Sequence, residues 1–207
     1  MSLDLDKEYY AQGYQFIVGT DEAGRGCLLG PVFAAAVILP QGLDSPLIND
    51  SKKLTAKKRE EAFEFITKNA IAYGIASVDA DEIDEVNIYN ASRIAMQKAI
   101  AKLNHDFDLV LTDAMKMPDY PHPVVDVIHG DALSLSIAAA SILAKVSRDR
   151  LCEELDKQYP EYHIKKNKGY GTKDHLEALK KYGPVKHLHR FSYAPVRACF
   201  VEKVSLF

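Results

Sequence analysis

The feature that most constrains how this chain can fold is a pair of acids placed directly after a buried strand. The apolar run Phe16-Ile17-Val18 leads into Gly19-Thr20-Asp21-Glu22-Ala23-Gly24-Arg25-Gly26. Carboxylates beside a hydrophobic core cost free energy unless a cation or hydrogen-bond donors compensate them. Because side chains alternate along a strand, Asp21 and Glu22 would face opposite sides of a regular strand. The flanking glycines therefore predict a bend or bulge that brings both acids to one site.

Three other interpretations compete for the same eight residues. A phosphate-binding loop requires Lys followed by Ser or Thr where Arg25-Gly26 stands. A dinucleotide-binding fingerprint fails because Gly24, Gly26 and Gly30 leave one residue too many in the second gap. A simple turn with a solvated acid pair fits the stretch as well as a functional site does, so the rest of the chain has to decide.

Length and composition predict one ordinary globular domain. The chain has 207 residues, of which 47% are hydrophobic and 27% are charged. Its longest apolar run, Val32 to Leu39, is too short to cross a bilayer, and the acidic N-terminus lacks the apolar region of a signal peptide. Three cysteines without metal-binding spacing are typical of reduced thiols. We therefore expect a cytoplasmic protein, a monomer, with no membrane partner.

Charge is distributed unevenly along the chain. The net charge is −3, yet residues 141–190 hold 12 Lys/Arg against 7 Asp/Glu, and the remainder holds 14 against 22. A basic region beside an acidic one suits a carboxylate site that acts on a polyanion, although a solvated helical face would also explain any single lysine. We expect a single catalytic domain over 1–207, with a core at about 13–158 and a basic substrate-binding region at about 159–197.

The hydrophobic pattern predicts an α/β fold, with a mixed sheet flanked by helices. A helix capped by Thr55 is predicted up to Ala70, and further helices are predicted over 79–103 and 133–158. The predicted strands cover 16–20, 32–39, 71–78, 109–113 and 124–128.

Acids follow three of these predicted strands, namely Asp21 with Glu22, Asp113, and Asp131. Helix capping or turn formation would explain Asp113 or Asp131 taken alone. Four acids at one sheet edge instead predict a site for two Mg²⁺ or Mn²⁺ ions about 3.5–4 Å apart. Ligation by oxygen alone suits these hard cations, and no Cys/His cluster with zinc spacing is present.

Seven motifs occur in order along the chain. They are Asp21-Glu22-Ala23-Gly24-Arg25-Gly26, Asn49-Asp50-Ser51-Lys52, Leu111-Thr112-Asp113-Ala114, His129-Gly130-Asp131, the segment from Ala138 to Asp149, Lys168-Gly169-Tyr170-Gly171-Thr172, and His189-Arg190-Phe191-Ser192. Together they resemble the motifs of the bacterial type 2 ribonuclease H (ribonuclease HII) family. The resemblance covers nearly the whole chain, except residues 1 to about 12 and 198–207.

The resemblance implies a ribonuclease H-like fold, with a five-stranded mixed sheet and a small C-terminal helical region. It implies cleavage of RNA in RNA–DNA hybrids, and cleavage 5′ to single ribonucleotides in duplex DNA, by two-metal-ion hydrolysis without a covalent intermediate. The products would carry 5′-phosphate and 3′-hydroxyl ends. The metal-binding acids would be Asp21, Glu22, Asp113 and Asp131.

The same resemblance implies that Gly24-Arg25-Gly26 reads the ribonucleotide and that Tyr170 stacks on a sugar at the RNA-to-DNA junction. A 2′-hydroxyl distinguishes RNA from DNA, and a glycine turn lets backbone groups approach it closely. Without the family, Tyr170 would be read as an ordinary aromatic side chain on a surface loop.

Further substrate contacts are expected from a set of polar side chains. Lys145 and Arg148 lie three residues apart, on one helical face, and are predicted to contact phosphate. Contacts to the nucleic-acid backbone are also assigned to Ser51, Lys52 and Lys168. The C-terminal Ser205-Leu206-Phe207 is similar to peptides that dock on bacterial sliding clamps, although an apolar tail packing on its own domain is the simpler interpretation.

Two other functions remain open at this point. One is a different metal-dependent nuclease of the same fold class, such as a DNA junction resolvase or an integrase. The other is a non-catalytic module that binds hybrids through a vestigial site. The glycine turn and Tyr170 favour ribonucleotide selection, and the four acids favour catalysis.

Overall fold

A five-stranded mixed sheet forms the centre of the molecule, in the order β3-β2-β1-β4-β5. The computed structural model describes residues 3–49, 51 and 54–204, the last five by backbone alone. Strand β2 is antiparallel to both β1 and β3, whereas β4 runs parallel to β1 and β5 runs parallel to β4. The strands are β1 (Ile17–Ala23), β2 (Val32–Ile38), β3 (Ala72–Val78), β4 (Leu109–Asp113) and β5 (Val124–Val127).

Helices cover both faces of the sheet and form the C-terminal region. They are α1 (Leu5–Ala11), α2 (Ala56–Asn69), α3 (Ala80–Val86), α4 (Ile88–Ile100), α5 (Leu135–Gln158), α6 (Ile164–Asn167), α7 (Lys173–Tyr182) and α8 (Ala194–Val204). Short 3₁₀ turns lie at Gly130–Ala132 and Pro160–Tyr162. Within the described residues, no helix has the length and apolar character needed to cross a membrane.

Alternating side chains of β2 build two separate hydrophobic layers. Ala34, Ala36 and Ile38 pack in the layer that contains α3 and α4. Ala35 and Val37 pack in the layer that contains α2 and α5. The predicted mixed sheet with helices on both faces is therefore confirmed, while the proposed boundaries at about 158 and 159 stay a prediction.

Helix α5 lies unusually close to β1, and Gly19 permits this approach. A Cβ atom built on Gly19 would lie 2.1 Å from the backbone carbon of Ser136. Such a contact is well inside van der Waals distance, so any larger residue would push the helix away from the sheet. The close packing places the second turn of α5, with Ser141, beside Asp21 near the end of β1.

The predicted bend at the acid pair is wrong. Strand β1 pairs regularly with β2 through Asp21↔Ala35, Glu22↔Ala34 and Ala23↔Phe33. Its pairing with β4 stops earlier, at Thr20↔Thr112. One flank of β1 is therefore open beside the acids, and a regular strand end brings both of them to one cavity without a bulge.

The single helix predicted over 79–103 is instead two helices that meet at Asn87. Asn87 has a φ of 67°, outside the right-handed helical region, so α3 stops there. Its side-chain oxygen then accepts a 3.1 Å hydrogen bond from the backbone N–H of Asn90 and caps α4. Thr55 caps α2 as predicted, accepting from the N–H of Lys58.

Helix α1 was not predicted, and it anchors the start of α5. Asp6 is buried and accepts hydrogen bonds from the Ser134 hydroxyl at 2.5 Å and from the Ser136 backbone N–H at 2.9 Å. Burial raises the pKa of Asp6, and these hydrogen bonds oppose that rise. The N-terminal segment thereby fixes the chain just after Asp131.

Candidate active site

The ends of β1 and β4 open into a cavity of about 290 Å³. Three acids line it, namely Asp21, Glu22 and Asp113. Asp21 and Asp113 share the parity of Ile17 and Leu109, so they leave the sheet on the face covered by α5. Its remaining lining residues are Ala23, Gly24, Arg25, Gly26, Ser51, Arg59, Ser141, Lys145, Arg148 and Tyr170.

Asp21 is buried and held by a serine of α5. The Ser141 hydroxyl hydrogen-bonds its carboxylate, and the Ser51 hydroxyl lies 3.0 Å from that of Ser141. Burial raises the pKa of Asp21 well above its ordinary value, and the charges of Glu22 and Asp113 raise it further. A positive charge beside Asp21 would therefore offset both the cost of burying its carboxylate and the repulsion from Glu22 and Asp113.

Glu22 shares the same electrostatic environment and has one oxygen without a partner. Its Oε1 accepts a 3.0 Å hydrogen bond from Arg25, whereas its Oε2 is buried with no hydrogen-bond partner among the described residues. Burial raises the pKa of Glu22, Arg25 lowers it, and Asp113 raises it. A buried carboxylate oxygen left unpaired is costly, and its environment matches that of a ligand oxygen.

Asp113 and Asp131 are connected through the backbone of the 3₁₀ turn. The Gly130 N–H donates to Asp113 Oδ1 at 2.8 Å. Asp131 is the next residue and is buried, but it is not among the residues that line the cavity. Ser134, rather than Asp131, caps α5, because its side chain accepts from the Ile137 N–H.

The donor set fits a hard divalent cation in charge and ligand type. Within the described part of the chain, no three His, Cys, Asp or Glu side chains form a group that could hold a metal ion as they stand. Three carboxylates nevertheless line one cavity, two of them with raised pKa values, and one has an unpaired buried oxygen. Oxygen ligands of this kind are those that Mg²⁺ and Mn²⁺ prefer.

The predicted substrate-reading turn and the Tyr170 loop lie against each other. A Cβ atom built on Gly26 would lie 3.6 Å from the Tyr170 ring. Cys27 forms a β-bridge with Tyr170, and the Leu28 N–H donates to the Gly169 carbonyl at 2.7 Å. Tyr170 remains 48% exposed, so its ring is available to a ligand.

Arg148, which is predicted to contact phosphate, lines the cavity but is buried. It is only 2% exposed, and its guanidinium donates to the backbone carbonyls of Lys168 at 2.7 Å and Leu29 at 3.3 Å. Its side chain also fills the space beside Gly24, where a Cβ atom would lie 2.1 Å from Nε. The N–H groups of Arg148 are thus already used by backbone carbonyls. We therefore infer that Arg148 holds the segment with Leu29 against the loop with Lys168 and Tyr170.

Two residues outside the predicted site hold the backbone of Arg25. The buried guanidinium of Arg190 donates to the Arg25 carbonyl at 3.0 Å and to the Gly30 carbonyl at 2.9 Å. The Tyr193 hydroxyl donates to the same Arg25 carbonyl at 2.5 Å. Arg190 belongs to a recognised motif, but nothing in the sequence revealed that its side chain points inward to this turn.

The remaining predicted contacts are placed differently from one another. Lys145 lines the cavity and is ion-paired with Asp149. Lys168 lies outside the cavity lining, and its ammonium is 3.7 Å from Glu153. Ser51 is buried beside Ser141, and Lys52 lies outside the described residues.

Arg59 also lines the cavity, and the sequence did not predict it. Its guanidinium donates to the carbonyls of Ser51 at 3.0 Å and Leu54 at 2.6 Å. It therefore holds the segment around Ser51 against α2.

Comparisons with known proteins give a family and solved structures of similar fold. Residues 18–196 match the family model described as Ribonuclease HII. Ribonuclease HII of Caldanaerobacter subterraneus subsp. tengcongensis is 55% identical over 188 residues, which cover 91% of this chain and 78% of that relative.

Solved structures with the same architecture include ribonuclease H2 from Pyrococcus horikoshii OT3. It has a TM-score of 0.77 and 26% identity, over 90% of this chain and 98% of that one. Ribonuclease HII of Archaeoglobus fulgidus, solved in complex with PCNA, has a TM-score of 0.68 and 26% identity, over 84% of this chain and 92% of that one. These similarities confirm the predicted ribonuclease H-like fold.

Proposed function

This chain belongs to the ribonuclease HII family, and we propose that it cuts duplex DNA on the 5′ side of a single embedded ribonucleotide. As a member of that family it is a metal-dependent endoribonuclease with ribonuclease H activity on RNA–DNA hybrids. The observation that carries the finer proposal is that the Tyr170 ring lies beside Gly26, where both residues line the cavity that contains the acids.

The acids Asp21, Glu22, Asp113 and Asp131 would hold the cations. Asp131 joins this set on the resemblance and on its place beside Gly130, whose N–H binds Asp113. When bound, two Mg²⁺ or Mn²⁺ ions would polarise the scissile phosphate and favour in-line attack by water. Ser141 would orient the Asp21 carboxylate from α5 through the hydrogen bond between them.

The Gly24–Gly26 turn would present its backbone to the ribose. The 2′-hydroxyl both donates and accepts hydrogen bonds, so backbone groups are sufficient to detect it. Arg190, Tyr193 and Arg148 fix this turn from behind, which keeps the recognising atoms in place before the substrate binds.

Two side chains that line the cavity would contact the nucleic acid on either side of the cleaved bond. Arg25 pairs with Glu22 and is the turn's own cation for a neighbouring phosphate. The half-exposed Tyr170 ring would stack on the sugar that follows the ribonucleotide. Lys145 and Lys168 would add positive charge along the bound nucleic-acid strand.

Replacing one acid tests the assignment of the site. We expect Asp113→Asn to lower kcat at least about 100-fold on both the hybrid and the single-ribonucleotide duplex, because the variant loses a charged ligand oxygen. Electrophoretic mobility shifts should show that hybrid binding is largely kept. Asp126→Asn, on the adjacent strand with an exposed side chain, is the matched control and should cut normally. Near-normal turnover by Asp113→Asn in Mg²⁺ would overturn the assignment.

A sliding-clamp contact forms part of the proposal at the C-terminus. The predicted segment, Ser205-Leu206-Phe207, lies outside the described residues. Support comes from the Archaeoglobus fulgidus relative, which was solved in complex with PCNA. The segment follows α8 directly in sequence, and α8 packs through Val196 and Cys199 into the C-terminal hydrophobic cluster.

A further inference from the structure

Two histidines outside the acid cavity form a buried pair in the C-terminal region. His175 lies on α7 and His189 lies in the segment before α8, and both are 0% exposed. Their Nε2 atoms are 3.3 Å apart. The proposed chemistry uses neither side chain, although His189 belongs to one of the motifs that carry the resemblance.

The neighbours of the pair determine where the protons lie. The Val185 backbone N–H donates to His189 Nδ1 at 2.9 Å, so the proton of His189 is on Nε2. His175 Nδ1 is 2.9 Å from the Tyr170 carbonyl, which can only accept, so His175 carries its proton on Nδ1. The His189 Nε2–H then donates to His175 Nε2, and the three hydrogen bonds run in one direction from Val185 to Tyr170.

Both rings are neutral in this arrangement. Burial lowers the pKa of His175, and burial together with the neighbouring His175 lowers the pKa of His189 to about 4. A proton added to either ring would place two N–H donors against each other, or one against the Val185 N–H. The chain of hydrogen bonds therefore requires neutral imidazoles with fixed tautomers.

This series of hydrogen bonds ends at Tyr170, the residue proposed to stack on the substrate. The Tyr170 carbonyl accepts from both the His175 ring and the Thr172 N–H, the latter at 2.8 Å. The two preceding carbonyls are also held, that of Gly169 by the Leu28 N–H and that of Lys168 by Arg148. Three consecutive carbonyls of this loop are thus fixed from the protein side, while the Tyr170 ring stays half-exposed.

We propose that His175 is a positioning residue for ribonucleotide recognition, which holds Tyr170 at the RNA-to-DNA junction while His189 fixes its tautomer and ring orientation. This inference rests on the proposed stacking role of Tyr170. Loss of the bond would let the loop backbone rotate, and the ring would move relative to Gly26. The effect should fall on the substrate with one ribonucleotide, where a single junction has to be recognised, more than on a continuous hybrid.

Two polar substitutions separate this role from simple core packing. In His175→Asn the amide nitrogen occupies the place of Nδ1, so the bond to the Tyr170 carbonyl is kept and the bond from His189 is lost. In His175→Gln the terminal amide occupies the place of Nε2, so the bond from His189 is kept and the bond to Tyr170 is lost. Both variants introduce a neutral amide into the same buried site, which makes each the control for the other.

The measurement is kcat/KM on a duplex with one ribonucleotide, divided by kcat/KM on a continuous hybrid. We expect His175→Gln to lower this ratio about 10- to 100-fold, as expected for a group displaced by roughly 1 Å. His175→Asn should stay within about threefold of the unmodified protein. Melting temperatures are measured for both variants. A similar loss of stability in the two would not account for the expected difference between their kcat/KM ratios.

Reference proteins keep the inference separate from the proposed function. If the unmodified protein does not cut at a single ribonucleotide, the proposed function fails. If Tyr170→Ala leaves the ratio unchanged, the stacking role of Tyr170 fails. If the unmodified protein and Tyr170→Ala behave as expected, an unchanged ratio in His175→Gln, or an equal fall in both His175 variants, overturns the inference alone.

Discussion

At the scale of single residues, buried arginines shape the site as much as the acids do. Arg148 and Arg190 donate to backbone carbonyls of the segments that carry Gly24–Gly26 and Tyr170. An arginine has five N–H donors in a rigid plane, so one side chain can fix several carbonyls at once. The turn at Gly24–Gly26 is therefore held by side chains of the protein itself.

The glycine turn offers a test of this packing. Gly24 has a φ of 99°, and a Cβ atom there would clash with Arg148. We expect Gly24→Ala to lower the free energy of unfolding by about 1–3 kcal/mol from backbone strain alone, with the clash adding to it. Gly26→Ala is the matched control, since its Cβ would meet only the Tyr170 ring at ordinary contact distance. Thermal melts that show equal stability for the two variants would contradict this account.

The acid pair could be predicted from the sequence, but its geometry could not. Buried carboxylates after a strand require compensation, and this predicted a site at Asp21 and Glu22. The expected bend was wrong because β1 continues to Ala23 in its pairing with β2, whereas its pairing with β4 stops at Thr20, and the local pattern does not show the register between strands. The burial of Arg148 was not predictable for a similar reason, since spacing on a helix does not show which face is buried.

At the scale of elements, α5 connects the sheet to the substrate loops. It packs on β1 beside Gly19, and its Ser141 orients Asp21. Arg148 follows about two helical turns after Ser141. Its length and apolar start were predictable from composition. Its N-terminal anchor was not, because Asp6 lies in a segment that reads as an ordinary acidic terminus.

The paired histidines predict how stability changes with pH. Burial depresses the pKa of His189 from 6.5 to about 4, so the folded state binds fewer protons than the unfolded state between these values. Its contribution to stability is present above pH 6.5 and is lost as the pH falls towards 4, by about 3 kcal/mol at most. His189→Asn keeps an acceptor for the Val185 N–H but does not titrate.

Urea unfolding at pH 7 and pH 5 measures this difference. We expect the unmodified protein to lose more stability over that interval than His189→Asn does. The comparison isolates the contribution of His189, because the buried acids with raised pKa values titrate in both proteins. The effect of those acids on stability has the opposite sign, since their protonation favours the folded state. Parallel losses in the two proteins would contradict the prediction.

At the scale of the whole molecule, the basic segment of the chain supplies part of the lining of the cavity that contains the acids. Residues 141–190 carry an excess of Lys and Arg, and this segment supplies Lys145, Arg148 and Tyr170 to the cavity. The five strands and the mixed sheet flanked by helices were predictable in outline because each strand has a clear apolar run. The meeting of residues 24–26 with 168–170 was not, since it depends on contacts between distant segments such as Cys27 and Tyr170.

The position of the cut tests the central claim most directly. A duplex DNA with one ribonucleotide, labelled at the 5′ end of that strand, is incubated with the unmodified protein and Mg²⁺. The account predicts one labelled product that ends in a 3′-hydroxyl immediately 5′ to the ribonucleotide, and no cut in an all-DNA duplex of the same sequence. A cut on the 3′ side of the ribonucleotide, or equal cutting of the all-DNA duplex, would contradict it.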